Sequence, residues 1–348
     1  METKIFSLIN EDLDSLKAAA EIIRNGGLVV FPTETVYGLG ADATREEATK
    51  KIYAAKGRPS DNPLIIHIAE PQDAEVYAFT NSTYYLLAER FMPGPLTVIL
   101  QAKETIPTTT RGGLETVAVR CPENKIAREL IKLSDVAIAA PSANLSGSPS
   151  PTTFEYAYVD MNGRVDAIID GGDCDFGLES TIVKVNDDAT LTLLRPGKIT
   201  KEDLESSGLT VTLSNAVTAA LKEGEDAISP GMKYKHYAPK APLILLDGTK
   251  EQIAEFLSKN TDTGSNIAII AYKNDFDYIS RLLPKADIYS FGTRGDEVEQ
   301  AHLLFKLLRD TDKKNYNFIY APLPDTTGIG LALYNRMIRA AAHNIIRL

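Results

Sequence analysis

The stretch Ser229-Pro230-Gly231-Met232-Lys233-Tyr234-Lys235-His236-Tyr237-Ala238-Pro239 divides the chain into two differently patterned parts. A proline at each end and an early glycine disfavour both helix and central strand, so this is an extended connector between two folding units. Its chemistry is unusual for a spacer. No acid occurs between Asp226 and Asp247, in a chain with 47 acidic and 37 basic residues and a formal net charge of −10. A length of 348 residues also suits two domains. The expected division is 1–206, a connector or lid over 207–241, and 242–348.

Before the connector the pattern is irregular. An amphipathic helix is predicted over 12–25, stopped by Gly26-Gly27, and Leu28–Phe31 is a short buried strand. Thr44 with Glu47 has the spacing of a capping box, and Ala48, Ile52 and Ala55 mark the buried stripe of the helix it would open. Gly57-Arg58-Pro59 ends that helix. Further strands are expected at 64–68, 96–101, 116–121, 136–140, 167–170 and 181–185. Such strands with few helices between them indicate an irregular α/β domain. After the connector, strands at 243–246, 267–272, 287–291 and 317–321 alternate with helices near 250–259, 296–310 and 329–346. That alternation indicates a small parallel sheet covered by helices.

Hydrophobic residues at 44% and charged residues at 24% are those of a globular protein and exclude disorder. No apolar run approaches the length of a membrane span, and the first residues lack the basic-then-apolar order of a secretory signal. Two cysteines and four histidines show no zinc-ligand spacing and too few thiols for a disulfide framework, so a reducing, cytoplasmic setting is expected. The negative balance counts against non-specific nucleic-acid binding.

Three segments carry candidate chemistry. Lys50 to Arg58 holds Lys50, Lys51, Lys56 and Arg58 and no acid. Two cations at a helix end suit a polyanion such as a triphosphate, and equally suit the helix dipole. Ala140-Pro141-Ser142-Ala143-Asn144-Leu145-Ser146-Gly147-Ser148 follows a buried strand; it is either a ligand loop or a plain turn. No nucleophile motif surrounds its serines, which argues against covalent catalysis. In Thr116–Cys121, Arg120 shares a face with Thr116 and Ala118 and needs an anion, either a ligand carboxylate or a structural acid. His67 sits inside an apolar strand, where a satisfied core histidine is the common case. Neither GxxxxGK[ST] nor a strand-borne GxGxxG occurs.

Together these segments resemble the YrdC-like threonylcarbamoyl-AMP synthases in their longer, two-domain form. The matching residues are Phe31-Pro32-Thr33-Glu34-Thr35-Val36-Tyr37-Gly38-Leu39-Gly40, Lys56-Gly57-Arg58-Pro59-Ser60-Asp61-Asn62-Pro63-Leu64, and Pro93-Gly94-Pro95-Leu96-Thr97. They continue through Val119-Arg120-Cys121-Pro122, Pro141-Ser142-Ala143-Asn144, Glu179-Ser180-Thr181-Ile182 and Arg195-Pro196-Gly197 to the connector. The family's signature Lys-x-Arg and Ser-x-Asn pairs are both present.

The resemblance implies a YrdC-like twisted mixed-sheet domain, followed by a smaller Rossmann-like parallel α/β domain. It implies that L-threonine, bicarbonate and ATP become threonylcarbamoyl-AMP and pyrophosphate, for use by tRNA threonylcarbamoyl transferase machinery. Lys56, Arg58, Ser142 and Asn144 are then the catalytic set. Arg58, Asn62, Thr116, Ser142, Ser150, Arg195 and His236 would contact ATP, with Mg²⁺ carried on the phosphates. Thr35, His67, Arg120, Ser180 and the backbone of Ala140 would hold threonine. The connector, His236 in particular, would fold over the site as a lid.

Two other classes compete. An RNA-binding module is disfavoured by the net charge and by the absence of tryptophan and aromatic stacking motifs. A carbamoyl transferase acting on another acceptor would use carbamoyl phosphate instead of bicarbonate and threonine.

Overall fold

Most of the apolar runs become strands in the computed structural model of the chain, which describes residues 2–8, 12–186, 189–219, 236–260 and 266–348. Two units result: Met1–Ser146 with Ser150–Tyr234, and Gly147–Pro149 with Lys235–Leu348.

The first unit begins with β1 (Lys4–Ser7), α1 (Leu13–Arg24), β2 (Val29–Phe31), β3 (Gly38–Asp42) and α2 (Glu46–Lys56). Next come β4 (Ile65–His67), α3 (Ala74–Tyr77), β5 (Ala78–Phe79), α4 (Ser82–Phe91), β6 (Leu96–Ala102) and β7 (Thr116–Arg120). They are followed by α5 (Lys125–Ser134), β8 (Ile138–Ala139), α6 (Phe154–Met161) and β9 (Ala167–Asp170). The unit closes with β10 (Thr181–Val185), β11 (Thr190–Arg195), α7 (Lys201–Ser206) and β12 (Thr210–Leu213).

Its strands form one mixed sheet in the order β1-β9-β2-β3-β8-β4-β7-β6-β10-β11-β12, with β5 paired to β6. Successive side chains alternate between faces. Ile66, Val98, Val117, Val119, Val183 and Leu193 enter the main core on one face. On the other face α1 and α5 pack through Ala19, Ile23, Ala127 and Leu130 against Phe31, Ile138 and Ile169. Beyond that helix layer lies a small separate floor of Ile65, Ile99, Ala118, Ile182 and Leu194. The next residues on this face are polar: His67, Arg120 and Thr97. Register puts the three side by side, His67 opposite Arg120 across β4 and β7 and Arg120 opposite Thr97 across β7 and β6.

The second unit holds β13 (Leu243–Asp247), α8 (Lys250–Asn260), β14 (Ile267–Ala271), α9 (Phe276–Leu282) and β15 (Asp287–Ser290). It continues with α10 (Glu297–Thr311), β16 (Phe318–Pro322), α11 (Gly330–Ala340) and β17 (Ile345–Arg347). All pairings are parallel, in the order β15-β14-β16-β13-β17. Within this unit Tyr237 stacks on Phe305 at 5.1 Å between ring centres and lies 5.0 Å from the His236 ring. Arg309 donates to the Pro149 carbonyl through Nε and Nη2 at 3.0 and 2.6 Å.

Three expectations change. Thr44 does not cap α2: Asp42, buried at the end of β3, accepts both its N–H and its hydroxyl, at 2.9 and 2.7 Å. The buried carboxylate needs those donors, and Arg45 stands at the cap without a side-chain capping bond. Helix α11 stops at Ala340 instead of running to 346. Ala342 and His343 turn the chain at φ of 49° and 61°, and Ile345–Arg347 becomes a fifth strand beside β13. The first unit also continues past 206: β12 pairs with β11, and Ala216 and Val217 are buried. The part of the expected lid at 220–235 lies outside the described residues.

Gly197 follows β11 after Pro196 and lies against the chain entering β10. A Cβ there would come within 2.6 Å of Thr181 N, 2.8 Å of Thr181 Oγ1 and 2.9 Å of Glu179 O. Backbone cannot yield cheaply, so Gly197→Ala should destabilise the protein by about 1–3 kcal/mol. Urea unfolding checks this, and an unchanged midpoint would refute the close approach.

Candidate active site

Among the described residues of the first unit, the buried cations are Lys56, Arg58, Arg120 and Arg195. All four were singled out from the sequence. A buried cation needs an anionic or carbonyl partner, so what each one meets defines the site.

Lys56 and Arg58 flank a helix end. Gly57 takes the left-handed conformation at φ 62°, and Arg58 N donates to Tyr53 O at 2.9 Å, reversing the chain after α2. The Lys56 ammonium donates to the carbonyl oxygens of Ser142 and Asn144, the latter at 2.6 Å, and lies 3.4 Å from Asn144 Oδ1. It therefore holds the loop after β8 in shape. Ser142 Oγ donates to Asn144 Oδ1 inside that loop, and the loop is fixed to β3 by Leu39 N to Pro141 O and Ala143 N to Tyr37 O, each 2.8 Å. Arg58 Nη2 reaches the Pro63 carbonyl at 3.2 Å. Asn62 is buried beside it, and its Oδ1 has no hydrogen-bond partner.

The polar row forms the second part. Arg120 Nη2 donates to Glu34 Oε1 at 2.6 Å, with both side chains almost fully buried. Arg120 Nε and Glu34 Oε2 are buried without hydrogen-bond partners. Of the two partners the sequence allowed, the structural acid is the one observed. His67 lies beside Arg120 with its ring edge-on to Phe31 at 6.2 Å. Burial first, and the Arg120 charge second, push its pKa down to about 3, so the imidazole is neutral at ordinary pH. Its Nδ1 has no hydrogen-bond partner. On the other side of Arg120, Thr97 Oγ1 lies 2.7 Å from Ser180 Oγ. Arg195 donates from Nε to Ser180 O at 2.9 Å and from Nη2 to Ser180 Oγ at 3.0 Å.

Backbone bonds join the remaining segments to this row. Ala140 N donates to Ile65 O at 2.9 Å, which brings the Ala140 backbone alongside β4. Phe176 N and Gly177 N donate to the carbonyls of Glu34 and Thr35 at 2.8 and 3.1 Å. Thr35 Oγ1 lies 2.8 Å from Thr33 Oγ1. Ser150 Oγ donates to Glu179 Oε1 at 2.7 Å, immediately before Ser180. Thr116 opens β7, on the face that carries Ala118 and Arg120.

The chain thus gathers Thr35, His67, Arg120, Ala140, Ser150, Ser180 and Arg195 around one sheet face, and ties Lys56 to Ser142 and Asn144. His236 belongs to the second unit. Glu34, Thr97 and Glu179 were given no role from the sequence. Thr97 becomes visible only through its register with Arg120; Glu34 is marked by standing in an otherwise neutral segment between two threonines, whereas Glu179 follows Asp170, Asp173 and Asp175 and is not marked. Among the described residues no three His, Cys, Asp or Glu side chains gather to hold a metal ion.

The family described as "Telomere recombination" (Sua5_yciO_yrdC) matches residues 21–197, and "Threonylcarbamoyl-AMP synthase, C-terminal domain" matches 199–342. A threonylcarbamoyl-AMP synthase of Pyrococcus abyssi is 42% identical over 96% of this chain and 96% of its own. One from Bacillus subtilis is 42% identical over 94% and 93%. The crystal structure of P. abyssi Sua5 complexed with L-threonine superposes with a TM-score of 0.90 at 40% identity, covering 99% of this chain and 100% of that one.

A histidine with a depressed folded-state pKa takes up its proton more readily when unfolded. Its contribution to stability is intact above about pH 6.5 and is lost as pH falls toward 3. The urea midpoint should therefore drop more steeply from pH 7 to pH 5 in the wild type than in His67→Gln. By nuclear magnetic resonance the His67 ring should not titrate between pH 5 and 8; a midpoint near 6.5 would overturn the assignment of a neutral, buried imidazole.

Proposed function

The chain belongs to the threonylcarbamoyl-AMP synthase family and is a nucleotidyltransferase-type enzyme making threonylcarbamoyl-AMP, and we propose that its buried cations hold ATP and L-threonine together while bicarbonate is built into the product. The observation carrying this assignment is that all four buried cations of the first unit's described residues lie among segments with unsatisfied or hydroxyl groups around them.

The neutral threonine amine attacks bicarbonate carbon and water leaves, giving N-carboxy-threonine. A carbamate oxygen then attacks the α-phosphorus of ATP, and pyrophosphate departs. Two anions must approach each other, and the carbamate must be kept from water. Both demands are met by fixed positive groups in a dry site.

Arg120 suits the threonine carboxylate, since its Nε remains buried and without a partner beside the Glu34 contact. The neutral His67 ring can accept as well as donate, which suits the threonine hydroxyl together with Thr35, Ser180 and the Ala140 backbone. Arg58, Asn62, Thr116, Ser142, Ser150 and Arg195 are assigned to ATP. Arg58 neutralises phosphate charge as it develops on the leaving group. Lys56 contributes its charge and fixes the Ser142–Asn144 loop, with Asn144 bracing Ser142. No carboxylate cage for Mg²⁺ is found among the described residues, and no step is assigned to the ion; it would be carried by the nucleotide and would help neutralise phosphate charge.

The product is consumed by separate machinery that transfers the threonylcarbamoyl group to the adenosine beside the anticodon of tRNA. No helix among the described residues is long and apolar enough to cross a membrane. A cytoplasmic setting accords with Cys121 and Cys174, both buried and unpaired.

Pyrophosphate release should require threonine, bicarbonate and ATP together, and release without threonine would refute the function. Arg58→Ala should reduce it by about 10²–10³-fold in a folded protein, and near-normal turnover would remove Arg58 from the reaction. A pocket that hydrogen-bonds the hydroxyl should discriminate against valine by about 10⁴-fold but against serine by only about 10–200-fold in kcat/KM. Comparable use of valine and threonine would contradict the assignment of His67 and Thr35.

A further inference from the structure

We propose that Glu34 and Glu179 are positioning residues that divide the site between them, Glu34 fixing Arg120 for the amino acid and Glu179 fixing Ser150 for the nucleotide. The proposal rests on the substrate assignments above and deepens them.

Burying a carboxylate is unfavourable, and a buried ion pair is commonly no more stabilising than apolar residues in its place. Two such acids therefore call for a reason beyond stability. Each has as partner a residue assigned to substrate. Glu34 Oε1 meets Arg120 Nη2 at 2.6 Å, and Glu179 Oε1 accepts from Ser150 Oγ at 2.7 Å.

The form of the Glu34 contact is informative. A pair built for strength would be bidentate, with two parallel N–H···O bonds. Here one guanidinium nitrogen is engaged, while Arg120 Nε and Glu34 Oε2 stay buried and without partners. The acid therefore fixes the guanidinium at one corner and leaves another N–H for a ligand. Glu34 is itself anchored, because Phe176 N donates to its carbonyl at 2.8 Å. Glu179 stands next to Ser180, whose hydroxyl and carbonyl are both held by Arg195. The 33–35 and 176–180 segments are joined by backbone bonds, yet each acid points its side chain to a different partner.

The test measures pyrophosphate release over crossed threonine and ATP concentrations for wild type, Glu34→Gln and Glu179→Gln. Glu34→Gln should raise the threonine KM by about tenfold or more, with the ATP KM and kcat within about twofold of wild type. Glu179→Gln should give the opposite pattern. A purely structural role would move both KM values together or lower the folded fraction alone, and either result overturns the proposal, as does an unchanged pair of KM values. Should a glutamine variant fail to fold, Glu34→Asp and Glu179→Asp take its place, and the same crossed pattern is required of them. Wild type that releases no pyrophosphate with threonine and bicarbonate overturns the function itself. Normal wild type with an uncrossed pattern overturns only the division between the two acids.

Discussion

Positive charge has been taken out of water in the first unit, and the arrangement of the polar groups around it follows from that. Lys56, Arg58, Arg120 and Arg195 are each at most 8% exposed. A charge in a low-dielectric setting must be met by oxygen at close range, and the contacts seen here include carbonyls, a hydroxyl and the Glu34 carboxylate. Carbonyls and hydroxyls satisfy the hydrogen-bonding demand of a cation while leaving its charge uncancelled. Cations gathered by one domain in this way suit anionic ligands such as a triphosphate and an amino-acid carboxylate.

Strand register places these groups. Because β4, β7 and β6 are neighbours, His67, Arg120 and Thr97 fall in one row across three strands. The residues two positions away in the same strands, Ile65, Ala118 and Ile99, form the apolar floor. The helices α1 and α5 cover the same face only at its other end. A sheet face that changes from helix-packed to polar over one strand spacing supplies one wall of the site. The 33–35 and 176–180 segments then add hydroxyls and acids from the side.

Much of this was legible in the chain. Apolar runs marked β2, β4, β6, β7, β9 and β10, and clean alternation marked the parallel sheet of the second unit. What escaped had a physical cause in each case. β3 is Gly-Leu-Gly-Ala-Asp, too small and polar to read as a strand, and it forms because Phe31 and Ile138 pack over Gly40. The end of α11 carries no glycine; Ala342 and His343 adopt the left-handed turn instead, so nothing in their residue types announced it. Thr97 and Ser180 lie far apart in sequence and meet only through the parallel pairing of β6 with β10. Resemblance of motifs supplied the roles proposed for Ser150 and Asn62, which no spacing argument would have suggested.

Lys56 and Arg58 illustrate how two cations in one short motif come to do different work. An ammonium is a compact point with three donors in a tetrahedral spread, whereas a guanidinium is a flat fork. Lys56 meets three oxygens of one curved loop, Ser142 O, Asn144 O and Asn144 Oδ1, an arrangement that a planar group would not match. Arg58, past the left-handed Gly57, contacts Pro63 O through Nη2 in a segment that also holds Asn62. The left-handed Gly57 ends the helix between them, so Lys56 leaves from the last helical position and Arg58 from the turn that follows. Spacing the cations across a helix-ending glycine therefore gives one motif a clamp on the loop after β8 and a fork beside the Asn62–Pro63 segment.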